Sequence, residues 1–246
     1  MHTLTRLTLT ESKLFLREPV AVFFSLGFPP LLLVILGLVP SFREPSADLG
    51  GARVIDLYVP ILVTMAIALL ALNGLPQLFA TYREKGILRR LATTPVRPAK
   101  LLGAQLLMCT AMAVLVLVAV LAVGRLGFDV ALPRLIPAYV LAYVLCVVSM
   151  LGIGLLIASL APNGRGAGAI GSLLFFPVLF FAGLWIPREN MSAALRRVSD
   201  FTPLGAGVQS LSDAAAGRWP TLLAVAVMLG WTVVAGGLAA RYFRWE

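Results

Sequence analysis

The sequence predicts an all-α integral membrane protein with six transmembrane helices. Three observations predict it. Of the 246 residues, 60% are hydrophobic and 13% charged, whereas soluble domains run at about 45–50% and about 25%. The apolar residues gather in six runs, each near the roughly 20 residues that a helix needs to cross a bilayer. The cations flank these runs instead of covering one folded face. The net charge of +9 therefore reads as membrane-flanking, and nucleic acid is not expected as a partner.

The elements follow in chain order within one domain, residues 1–246, with residues 1–19 as an interfacial helix and 20–246 as a six-span unit. In Thr3–Arg17, Leu4, Leu7, Leu14 and Phe15 share one arc, with Arg6, Lys13 and Arg17 roughly opposite and Glu11 interrupting the apolar side. That pattern fits a helix lying on the lipid surface, with a solvated tail as the alternative. The spans are expected at Val20–Val39, Leu57–Phe79, Leu101–Val123, Leu135–Leu160, Gly166–Ile186 and Pro220–Ala240. The first is too long, and too far from the start, for a cleaved signal core. Six spans place both termini on one side. If that side is the cytoplasm, it holds twelve of the twenty Lys and Arg, so the bias favours N-in and C-in topology in the cell membrane. Pro187–Trp219 is too polar to span. Two short helices broken at Thr202-Pro203 fit it, because a residue before proline is pushed out of the helical region. They are expected to re-enter the outer membrane face or to form a plain external loop.

Much chemistry is excluded. There is no phosphate-cradling G-x-x-x-x-G-K-[ST] loop, and the lone histidine, His2, leaves no imidazole triad or metal cluster. No catalytic or metal site is expected. Cys109 and Cys146 lie inside apolar runs and read as reduced thiols. The spans hold no carboxylate pair, which weakens an ion-coupled transporter reading, although that class and a non-transporting scaffold stay open. Polar groups within the spans are mild. Asn73 and Gln77 lie four apart on one helical face, and Phe176, Phe180 and Trp185 mark the fifth span. They suit interhelical contacts or the lining of a substrate path.

The connection between the second and third spans is the most informative stretch. Arg83–Lys100 holds six cations. Placed on one helix, Tyr82–Ala92 sets Glu84, Ile87, Leu88 and Leu91 on one face, with Arg83 and Arg90 on one flank and Lys85 and Arg89 on the other. Gly86 lies within the run, and Thr94-Pro95 ends it. Such a helix rests on anionic lipid or offers an apolar knob, with an acid at its centre, to a partner protein.

Here the sequence resembles a family. "REKGILRRLATTPVRPAKLLGAQLL" resembles the connection between the second and third spans of type-2 ABC exporter permeases, in particular the drug-resistance and antibiotic-export branch. "FFAGLWIPRENMSAALRRVSDFTPLGAGVQSL", from Phe180 to Leu211, resembles that family's fifth-span end and re-entrant outer helices. Family members often close this second motif with an arginine, where this chain has "SLSD". The resemblance implies that Tyr82–Leu91 with Thr94 and Pro95 is a cytoplasmic coupling helix that docks on an ABC ATPase. It implies two ATPase copies, a second copy of this chain or a related permease, and contact with membrane lipids. ATP and Mg would be held by the ATPase and not by this chain, and the cargo would be amphipathic, drug-, antibiotic- or lipid-like.

Overall fold

The computed structural model describes residues 2–46, 51–92 and 98–242. Six helices are long and apolar enough to cross a membrane: Pro19–Gly37, Val54–Glu84, Lys100–Phe128, Ile136–Leu160, Gly164–Ala182 and Leu222–Tyr242, referred to here as spans 1 to 6. The six expected spans are all present, with different ends. Span 5 stops at Ala182 and not at Ile186 because Gly183 takes φ +96°. Its amide and that of Leu184 bond back to Phe180 O and Leu179 O, a left-handed stop that glycine adopts without steric cost. Span 2 runs past Phe79 to Glu84. Its 31 residues reach about 46 Å, longer than the roughly 30 Å hydrocarbon core. Its last turn lies on the face that carries the N-terminal helix and the end of span 6, the terminal face. The opposite side is the distal face.

Span 2 is the hub. Along its apolar stretch 72% of residues are buried, against 22% for spans 1, 5 and 6, and it packs against spans 1, 3, 4 and 5. Span 6 packs mainly on span 4. The hub's shape follows from its prolines. A proline inside a helix clashes with the carbonyl four residues back. In span 2, Pro76 follows a wide π-type turn over Leu69–Gly74, which holds that carbonyl, Leu72. In span 1, Pro29 and Pro30 follow a similar turn over Phe23–Gly27. The hub's wide turn faces glycine on two sides. A Cβ on Gly171 of span 5 would lie 2.0 Å from Leu72 O, and one on Gly154 of span 4 would lie 2.1 Å from Ala71 O. Only glycine admits backbone that close.

The N-terminal helix, His2–Leu16, lies along span 3. Leu4, Leu7 and Phe15 are half-buried and Glu11 is buried, whereas Leu14 is 45% exposed. The expected apolar arc is thus corrected at Leu14. The residue that looked like an interruption, Glu11, is the one that points inward.

On the distal face, helices Ala193–Asp200 and Pro203–Ala215 form a hairpin that enters the bundle. Trp231 Nε1 donates to Phe201 O at the hairpin's turn, 3.0 Å away. Nine residues separate Trp231 from the start of span 6, a depth of about 14 Å. A Cβ on Gly207 would meet Cys146 Sγ of span 4 at 2.6 Å and Thr64 Cγ2 of span 2 at 3.9 Å. Irregular backbone survives at that depth only when its polar groups are satisfied. Thr202 Oγ1 accepts from Gly205 N and donates to Ser199 O, and Ser199 Oγ donates to Phe181 O.

Candidate functional site

The expected single helix over Tyr82–Ala92 does not form. Span 2 ends at Glu84, and Gly86 at φ +66° turns the chain into a separate helix, Ile87–Ala92. Glu84 and Ile87-Leu88 therefore do not share a helical face, because the wheel assumed 100° per residue through a turn that is not helical. Leu88 is 1% exposed, so it anchors this short helix to the protein's own bundle. Lys85 and Arg90 are exposed. Thr94 and Pro95 lie outside the described residues, as do the side chains of Arg89 and Leu91.

In place of the apolar knob there is a three-way grip. Successive residues on a helix point about 100° apart, and Tyr82, Arg83 and Glu84 use that spread to reach three elements. Tyr82 Oη donates to Glu11 Oε2 of the N-terminal helix at 2.9 Å. Gln105 Nε2 of span 3 donates to the same oxygen at 2.5 Å. Glu11 is 6% exposed, and burial raises its pKa above the ordinary carboxylate value, with the bonds from Tyr82 and Gln105 opposing the rise. Arg83 donates to Ala158 O at 3.4 Å and also to Ala161 O, which lie at the C-terminal end of span 4. Glu84 Oε2 accepts from Gly164 N at 3.3 Å, the first residue of span 5. A cation on terminal carbonyls and an anion on a terminal amide both complement the helix dipole. Asn163 completes the cap by accepting from Gly166 N at 2.7 Å.

The expected path residues lie at one seam between spans 2 and 5 and along span 5 beyond it. Ser172 Oγ donates to Asn73 Oδ1 at 3.2 Å. Gln77 is exposed and lies beside Gly168, whose Cβ would be 3.7 Å from Gln77 Oε1. Phe176 follows Ser172 by one turn and is 61% exposed; Trp185 is 50% exposed. Their ring centroids are 6.2 Å apart. Phe180 is half-buried, with its ring 5.4 Å from that of Phe181. Gln77 also borders a cleft of about 500 Å³ on the terminal face, shared with Arg17, Thr81, Tyr82 and Lys85. Both cysteines are free and buried.

Sequence reasoning missed the partners of Tyr82, Arg83 and Glu84, and it missed buried charge. Glu11, Arg188 and Asp213 are all buried. An acid inside the apolar arc of the N-terminal helix was the available signal for Glu11.

A six-span helical bundle with further helices on both faces defines a multi-pass membrane protein. The family model for the ABC-2 type transporter matches residues 3–215. The chain belongs to the ABC-2 type transporter family and is a membrane transport component, a class that normally works with an ABC ATPase partner. No curated protein matches the chain closely enough to count as a relative.

Proposed function

We propose that this chain is the permease subunit of an ATP-driven exporter of the drug-resistance and antibiotic-export kind. Two copies, or one copy with a related permease, form the pore domain, with two ABC ATPase subunits docked on the terminal face. That face is cytoplasmic, and the cargo is an amphipathic drug-, antibiotic- or lipid-like molecule taken from the inner leaflet or the cytoplasm. ATP and Mg belong to the ATPase subunits. The Ile87–Ala92 helix and the exposed Lys85 form the docking region. The seam of Asn73, Gln77, Phe176, Phe180 and Trp185 lies beside the cargo.

The three-way grip carries this reading. A push on the Ile87–Ala92 helix reaches span 2 across two residues. Tyr82, Arg83 and Glu84 pass the displacement to the N-terminal helix, the end of span 4 and the start of span 5 together. Coupling needs such a rigid link between a docked partner and several moving elements. Arg83→Ala removes the link to span 4 and leaves the exposed docking surface untouched. Co-expressed with its ATPase, the variant should co-purify and hydrolyse ATP, while cargo stimulation of hydrolysis and cargo export both fall. Full export by Arg83→Ala would refute the reading.

Buried Glu11 favours a second reading, an ion-coupled transporter in which that carboxyl carries a proton. Export from vesicles that stops when an ionophore collapses the proton gradient at constant ATP would support it.

A further inference from the structure

On the distal face the start of span 6 and the re-entrant hairpin enclose a cleft of about 470 Å³, whose walls include Arg188, Arg196, Asp200, Gln209 and Thr221. Among the described residues of its lining, two guanidinium groups meet one carboxylate, so these groups carry one excess positive charge. Arg188 is 6% exposed. It donates through Nη1 to Ser199 Oγ and through Nη2 to Asp200 Oδ1, the latter at 2.5 Å, and its buried Nε has no hydrogen-bond partner among the described residues. Arg196 is held against this group, Nε donating to Arg188 O at 3.1 Å. The cleft opens beside the first turn of span 6, and Trp219, two residues before Thr221 in its wall, is 61% exposed. Exposed tryptophan at a span end marks headgroup depth.

Below the cleft, the same face of span 6 carries an apolar groove of about 280 Å³ lined by Phe201, Val227, Gly230, Trp231 and Val234. Ala224 of the cleft and Val227, Trp231 and Val234 of the groove recur at three- and four-residue intervals, so they form one stripe down the helix. From Ala224 to Val234 the stripe is about 15 Å long. Gly230 has open space where a side chain would project, which keeps the middle of the groove clear.

A cationic, hydrogen-bonding cleft at headgroup depth above a continuous apolar groove fits one chemistry. We infer that this surface seats an anionic phospholipid of the distal leaflet. Its phosphate sits against the exposed Arg196, in the positive field of Arg188 behind it, and one acyl chain lies along Val227, Gly230, Trp231 and Val234. The lipid stays bound to span 6 and props the hairpin against it. The inference concerns the distal face alone and holds whichever cargo the permease carries.

The test uses the purified chain in detergent, with lipid binding counted by native mass spectrometry and stability followed by thermal unfolding. The wild type should retain one phosphatidylglycerol per chain and prefer it about tenfold over phosphatidylcholine, which offers the same phosphate but sets its choline cation beside the cleft's excess positive charge, a difference on the order of 1.4 kcal/mol. Arg196→Gln, on the exposed rim, should erase that preference without unfolding the hairpin. Gly230→Leu should fill the groove and weaken both lipids about equally. Equal binding of the two lipids by the wild type overturns the proposal, as does a preference that survives in Arg196→Gln. Gly230→Leu with unchanged lipid affinity overturns the acyl seat. Inorganic phosphate that stabilises the protein as much as phosphatidylglycerol does would make the cleft a site for a free anion and not for a lipid.

Discussion

Replacing Gly171 by alanine tests how the bundle is held together. The added Cβ would lie 2.0 Å from Leu72 O and 2.9 Å from Leu72 C. Ordinary contact begins near 3.4 Å, so the shortfall is at least 1.4 Å. The obstructing atom is backbone of the most buried helix, and no rotamer change relieves it. Span 5 must slide outward, which also stretches the Ser172–Asn73 bond of 3.2 Å. Overpacking costs about 1–3 kcal/mol, and a fixed carbonyl puts this case at the upper end. At about 2–4 °C per kcal/mol for a chain of this size, the melting temperature should fall by roughly 4–12 °C. Gly230 is the control, because nothing lies within 4 Å of its would-be Cβ. There alanine gains helix propensity, up to about 1 kcal/mol, so Gly230→Ala should melt at or slightly above the wild type. Fluorescence-detected size exclusion after heating, in one detergent, reads both. A Gly171→Ala protein as stable as Gly230→Ala would refute the close-approach argument for the hub.

Three further outcomes follow from the same geometry. Glu11 has a folded pKa raised by burial, so its contribution to stability is fully present at acid pH and is lost as pH rises through the raised value. Glu11→Gln, whose amide oxygen can still accept from Tyr82 and Gln105, should therefore match the wild type below about pH 4, under the ordinary carboxylate value, and melt higher in alkaline buffer; a gap that widens toward acid would reverse the assigned sign. Cys109 and Cys146 are 3% and 0% exposed, so maleimide should label neither in the folded protein and both after denaturation, and rapid labelling of the native protein would contradict their burial. For topology, a cysteine placed at Arg196 in a chain with both native cysteines replaced by serine should react with a membrane-impermeant reagent on intact cells, and one at Lys85 only after permeabilisation; the opposite pattern inverts the proposed orientation.

Six helices, their order and their approximate ends were legible in the sequence, because spanning a bilayer demands a local property: about 20 apolar residues in a row. The break of the distal hairpin was legible at Thr202-Pro203 for the same kind of reason. The wide turns of spans 1 and 2 could have been suspected from Pro29, Pro30 and Pro76. What the tertiary structure alone decided is which residues meet across long stretches of chain. Tyr82, Arg83 and Glu84 look like one short run of a basic connection. Their partners Glu11, Ala158 and Gly164 lie 71, 75 and 80 residues away, and no periodicity encodes those distances. The helical wheel misplaced Glu84 because it carried one helical phase through Gly86, where the left-handed turn resets it. Gly154 and Gly171 became necessary only once the hub's wide turn put carbonyls against them. Composition and spacing are set by solvent and by neighbours along the chain, whereas a hydrogen bond or a steric notch is set by whatever the packed bundle brings within a few ångströms.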